Sequence, residues 1–278
     1  MKYFTKFLSL FFAAAMLLTM AACGSKNTDT DTDTKTGSEK KQLVVATSPD
    51  FPPFESLDGS DIVGIEPKLM QAIADKLGME LVWEQVDFDS IIPGIQAGRY
   101  DVGVAGISIT ADRLKNCDFS DPYFLANQVI VVNPGSDIQS KADLTGKTIA
   151  VQTGTTAETY LTKEYPDIPQ QKYDSYATAK NALENGNGAA WANDNTEVIA
   201  FAKQNSGYTV GIPSLGSQDT IAPAVSKGNT TLLDWINDEI KSLGEESFFH
   251  KDYEETLVDT YGLDYEDELV VEGGETNA

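Results

Sequence analysis

The sequence is poor in cysteine, histidine and positive charge, and each shortage excludes something. Two cysteines in 278 residues, Cys23 and Cys117, cannot build the disulfide framework of a small exported scaffold. One histidine, His250, excludes a His-rich zinc site and leaves a serine or cysteine triad a single base, far from any nucleophile signature. Against 43 acidic residues there are 20 basic ones, and the formal charge of −23 repels nucleic-acid phosphates. No nucleic-acid partner is expected, and no cofactor.

Long apolar runs are scarce except at the N-terminus, where Lys2 and Lys6 precede "FLSLFFAAAMLLTM". A positive start, an apolar stretch and small residues at "MAAC" predict a secretory signal over 1–22. A cysteine at that junction resembles a bacterial lipobox, with Met20 where the box more often has leucine, and Cys23 is expected to carry lipid. Residues 24–41, "GSKNTDTDTDTKTGSEKK", have no apolar side chain with which to offset ordering entropy. The span 23–41 is therefore read as a lipidated cysteine and a solvated tether on the outer face of the cell membrane. With Cys23 assigned to lipid, Cys117 is left unpaired and is read as a buried, inert thiol.

From residue 42 the chain alternates strand-like and helix-like segments. "LVVAT" at 43–47 reads as a strand, and "EPKLMQAIADKLG" as a helix with Pro67 in its first turn, Leu69, Met70, Ile73 and Leu77 on one face and Gly78 as its stop. "ELVWEQV" predicts a strand, "FDSIIPGIQAG" a short helix ending at Gly98, "DVGVAGI" a third strand and "QVIVV" a fourth. The pattern restarts after Pro134–Gly135 with "KTIAVQ", the helices "TTAETYLTKEY" and "SYATAKNALENG", the strands "AAWAN" and "GYTVGI", and the helix "TLLDWINDEIKSLG". Two sets of alternating elements imply two α/β lobes, each with a mostly parallel sheet.

In such sheets ligands bind at the carboxyl ends of strands. "GISITADR" at 106–113 and "TGTTAE" at 153–158 occupy that kind of junction, one in each set. Arg113 carries a planar fork that fits a carboxylate bidentately. Thr110 is expected to cap a helix behind it, and the amides that open the helix after Gly154 offer a second surface favourable to an anion. One arginine and two helix starts suit a single carboxylate.

"ATSPDFPPFES", "DFDSIIPGIQAGRYDVGVAGISITADR", "DFSDPYF", "LTGKTIAVQTGTTAE" and "LENGNGAAWANDNT" resemble, in order, the extracellular solute-binding proteins of family 3, over about residues 42–262. The resemblance implies a two-lobe, type II periplasmic-binding-protein-like α/β fold whose lobes are joined by two crossover hinge segments, near 123–127 and 218–222. Lobe 1 would comprise 42–125 plus 221–265 and lobe 2 residues 126–220, and the acidic tail 266–278 is read as a solvated end, with a last short strand or helix as the alternative. It implies capture of a free amino acid for an ABC permease, by a monomer and without catalysis. Arg113 would clamp the ligand carboxylate, helped by Ser108 and by Thr156 from the second lobe. Asp194 and the carbonyl of Gly106 would hold the ammonium, and Phe51 and Phe88 would sandwich the side chain. The plain alternative for both phenylalanines is core packing.

Departures from the family pattern bear on the ligand. Ser48 stands where several binders of basic amino acids carry an aspartate, so an uncharged polar ligand ranks first and a basic one second, with Glu55, Asp87 or Asp89 as other sources of negative charge. Ala189 replaces an acid often found in the family, and that position is read as structural. Trp191 is expected either in the pocket or in the core. Two rival functions share the fold: a ligand-sensing module for a membrane receptor, and a cyclohexadienyl dehydratase-like enzyme with an acid such as Glu55 in the cleft.

Overall fold

The structure, a computed structural model, describes residues 41–274. The signal, the lipidation site Cys23 and all but the last residue of the tether therefore lie outside the described residues, as does 275–278.

Two five-stranded sheets carry the fold. In the first, Glu80–Gln85, Gln42–Thr47 and Val102–Gly103 run parallel, and Ala224–Ser226 and Cys117–Phe119 complete the order. Val45 lies between Trp83 and Val102 in register, so its buried side chain packs in a layer of apolar neighbours. The second sheet orders Gln170–Tyr173, Ile149–Gln152, Ala190–Asp194, Gln128–Val132 and Thr209–Ile212, with its first three strands parallel. Each sheet belongs to its own lobe. Between them, Phe124–Ala126 and Asp219–Ile221 pair antiparallel as the two crossing segments.

The helix Ile65–Leu77 follows its sequence signals. Leu69, Met70 and Ile73 are buried against the first sheet, and Gly78 ends the helix in the left-handed conformation that glycine adopts without steric cost. Trp191 is fully buried on the second sheet, its ring meeting Tyr176 and Phe201 edge-on at centroid distances of 5.3 and 5.8 Å. Of the two places open to it, Trp191 occupies the core. Cys117 is buried and free, and burial pushes its thiol up to about 11.

Three expectations need correction, and one small sheet goes beyond them. The strand read from "DVGVAGI" shortens to Val102–Gly103, because Gly106 turns the chain with a φ of +58°. No α-helix follows Thr110: its hydroxyl accepts from the Arg113 amide at 3.2 Å, but the turn it closes, Arg113–Lys115, is a single 3₁₀ turn. Residues 50–63, to which the sequence reading assigns no element, form a small antiparallel sheet closed by a tight turn at Gly59–Ser60. The segment 266–274 is not a solvated end, since Leu269, Val270 and Val271 are buried. Val270 bridges Phe124, and the Val271 amide donates to the Tyr123 carbonyl at 3.0 Å.

Candidate functional site

The carboxyl ends of both sheets face one narrow cavity, with about 20 Å³ of free volume. Arg113, Ser108, Gly106, Phe51 and Phe88 reach it from the first lobe, and Thr156 and Asp194 from the second. All seven residues singled out in the sequence thus line a single cavity.

Arg113 is held on three sides. Its Nη1 donates to the Ser108 carbonyl at 2.8 Å, its Nη2 donates to the Gly154 carbonyl at 3.0 Å, and the guanidinium sits 5.4 Å from the Phe88 ring centre. The carbonyl of Ser108, rather than its hydroxyl, is what orients the arginine. Two of five N–H donors are engaged, leaving capacity for a carboxylate. Burial lowers the arginine from its ordinary value, and the charges of Asp194 and Asp219 oppose that loss.

Gly106 is at the centre of the first-lobe wall. A Cβ at this position would approach Cε1 of Phe51 to 2.6 Å, so only glycine fits both the turn and the ring. Phe51 also stacks on Phe54 at 5.5 Å, and the Tyr176 ring meets it edge-on at 5.7 Å. It is a core residue with one face on the cavity.

On the second lobe, Asp194 ends the strand Ala190–Asp194 and sits at the N-cap of Asn195–Gln204, yet its side chain makes no capping bond. Burial raises its carboxyl to about 7, with the nearby Asp219 adding to the rise and Arg113 working against it. An incoming ammonium would relieve that cost. Thr155, not Thr156, caps the helix Thr156–Glu164, accepting from the Glu158 amide at 3.2 Å and donating to the Gln152 carbonyl at 2.8 Å. Thr156 lines the cavity, with its amide at the helix start.

Sequence reasoning passed over Asp50, Gln152, Thr155 and Asn193, which also line the cavity. Asp50 carried a signal, an acid directly before Phe51; the other three depended on strand ends whose facing only the backbone reveals. Of the acids considered as charge sources, Glu55 lines the cavity and Asp87 and Asp89 do not.

The sequence model of the bacterial extracellular solute-binding proteins, family 3, matches residues 43–256. The arginine-binding extracellular protein ArtP of Bacillus subtilis (strain 168) is 41% identical over 155 residues, 55% of this chain, and the match spans 58% of that relative's length. ABC transporter arginine-binding protein 1 of Escherichia coli (strain K12) is 28% identical over 219 residues, covering 77% of this chain and 90% of that protein. Among solved structures, a cysteine-binding protein from Campylobacter jejuni superposes with a TM-score of 0.80 at 34% identity, covering 83% of this chain and 95% of that one. The architecture is thus the type II periplasmic-binding-protein fold. These relatives are named for binding, none as an enzyme.

Proposed function

The chain belongs to family 3 of the bacterial extracellular solute-binding proteins, and we propose that it captures a free amino acid between its lobes and hands it to an ABC permease. The observation that carries this reading is the pair Arg113 and Asp194, opposite charges facing one cavity from different lobes. A zwitterion needs both, a few ångströms apart. Arg113, Ser108 and Thr156 would take the carboxylate, Asp194 and the Gly106 carbonyl the ammonium, and Phe51 and Phe88 would flank the side chain.

Contacts from the second lobe are gained only on closure, and that difference biases the hinge toward the closed form. Once Asp194 is assigned to the ammonium, Asp50 and Glu55 remain for the side chain, and Arg113 is the one basic side chain among the described residues that line the cavity. Together with the arginine-binding relatives, this supports a basic amino acid ahead of an uncharged one, reversing the order suggested by Ser48. The lobe limits read from the sequence, 42–125 plus 221–265 and 126–220, belong to the same proposal. So do action as a monomer and anchoring by lipidated Cys23 outside the membrane, which the N-terminal sequence supports.

Calorimetric titration with the twenty amino acids tests the reading. Binding of at least one near micromolar Kd, about −8 kcal/mol, is expected, and R113A should abolish it without unfolding the protein. Undiminished affinity in R113A would remove the carboxylate assignment, and no binding by any amino acid would remove the function.

A further inference from the structure

At the inner end of the cleft the Glu55 side chain is fully buried and forms part of the cavity wall. No N–H or hydroxyl among the described residues donates to either of its oxygens. The carboxyl of Glu66, from the first turn of Ile65–Leu77, lies close enough to share a proton with it. Two carboxyl groups can bond to each other only through a proton on one of them. Glu66 is the better placed to stay ionised, because its Oε1 accepts from the Gly106 amide at 3.0 Å and from the Tyr123 hydroxyl. The shared proton therefore belongs to Glu55.

The other groups facing Glu55 bring no cation. They are Asp50 from the small sheet, Glu197 from Asn195–Gln204, and Tyr123 beside the crossing strand. Burial, reinforced by Glu66, Glu197 and Asp50, holds the Glu55 carboxyl well above the usual range. Lys68, on the helix that carries Glu66, is engaged by Asp252 and Glu255. Among the described residues no cluster of carboxylates is arranged to hold a metal ion. A positive charge reaching Glu55 has to arrive through the cleft.

We propose that Glu55 keeps its proton while the cleft is empty and yields it to solvent when the ligand's side chain is cationic. The inference rests on the amino-acid reading above and adds a consequence to it. The O–H bond of Glu55 breaks, the proton passes to water or buffer, and the carboxylate left behind pairs with the incoming guanidinium or ammonium. One positive charge enters the cleft and one leaves, so the buried charge is unchanged. A neutral side chain leaves the Glu55 O–H in place, donating to Glu66. Cationic ligands therefore gain affinity with rising pH over a range where Glu55 imposes no such gain on neutral ones.

Calorimetry of the full domain in buffers of different ionisation enthalpy counts the protons released with L-arginine and with L-glutamine. Asp194 contributes equally to both, so the difference isolates Glu55. Arginine is expected to release about one proton more near neutral pH, and E55Q, whose amide can still donate to Glu66, to erase the difference. Equal counts overturn the inference, as does a protein that binds glutamine and not arginine. If arginine alone binds, release beyond the single proton that Asp194 can supply supports the inference, and one or fewer overturns it. The wild-type count decides even if E55Q fails to fold. Failure of all twenty amino acids to bind is a different outcome, which removes the capture reading and this consequence together.

Discussion

Arg113 of the first lobe donates through Nη2 to the carbonyl of Gly154 on the second, at 3.0 Å. One side chain thus both faces the ligand cavity and spans the cleft, while its Nη1 is anchored at home on the Ser108 carbonyl. Gly154, at a φ of +80°, comes so near the first lobe that a Cβ there would lie 3.0 Å from Cβ of Asp89. The described arrangement is therefore a closed one.

Replacing Arg113 by lysine keeps the charge and loses the fork. A single ammonium cannot serve Ser108, Gly154 and a bidentate carboxylate together. R113K is expected to weaken amino-acid binding by about 1.5–3 kcal/mol, roughly ten- to hundredfold, measured by calorimetry. An affinity within twofold of wild type would show that the fork is not used.

Asp194 makes binding depend on pH. In the closed arrangement its carboxyl is raised to about 7, and an ammonium pairs with the ionised form. Above about 7 the carboxylate is already present and affinity is full. Below it, one proton must leave on binding, and affinity falls by about tenfold per pH unit until the ligand-bound value is reached. Titrations between pH 5 and 8 on a ligand with a neutral side chain should show this slope, and D194N should flatten it while lowering the plateau.

Gly106→Ala introduces a Cβ into the Phe51 ring at a positive φ. Strain of about 1–3 kcal/mol is expected, together with displacement of Phe51 from the cavity wall. Thermal melting and ligand titration should both register the change. A variant with wild-type melting and affinity would mean the ring is free to move aside.

Trp191→Ala separates fold from site. The indole packs against Tyr176 and Phe201 and does not line the cavity, so its loss is expected to cost about 3–5 kcal/mol of stability. At temperatures where the variant remains folded, ligand affinity should stay within a few-fold of wild type. A selective loss of affinity without a lower melting point would reassign the residue to the pocket.

The legible part of the site was the part written in short local motifs. Arg113, Ser108 and Gly106 share one strand-to-turn junction, Thr156 opens a helix, and Asp194 ends a strand, so chain position alone brought them to the carboxyl edges. Gln152, Thr155 and Asn193 sit at neighbouring positions whose facing depends on strand twist, which periodicity does not encode. The helix expected after Thr110 failed for a related reason: a threonine able to cap an α-helix serves a 3₁₀ turn equally well. The small sheet over 50–63 was hidden by two prolines in its first connection, although Gly59 and Ser60 carried a turn signal. The helix Asn195–Gln204 lacks a clear start in the sequence, because the Asp194 side chain makes no capping bond and Thr196, Glu197 and Val198 in its first turns are all buried rather than one-sided.

Cys117 has a practical consequence. It is the one cysteine among the described residues, fully buried, with its thiol raised to about 11, far from the thiolate form that alkylating reagents attack. A soluble version beginning after Cys23 therefore offers a chemically quiet background, in which a new surface cysteine on each lobe can be labelled without first removing a native one. A pair of dyes placed that way would read the distance between the lobes directly as ligand is added, in a domain whose native sulfhydryl stays dark.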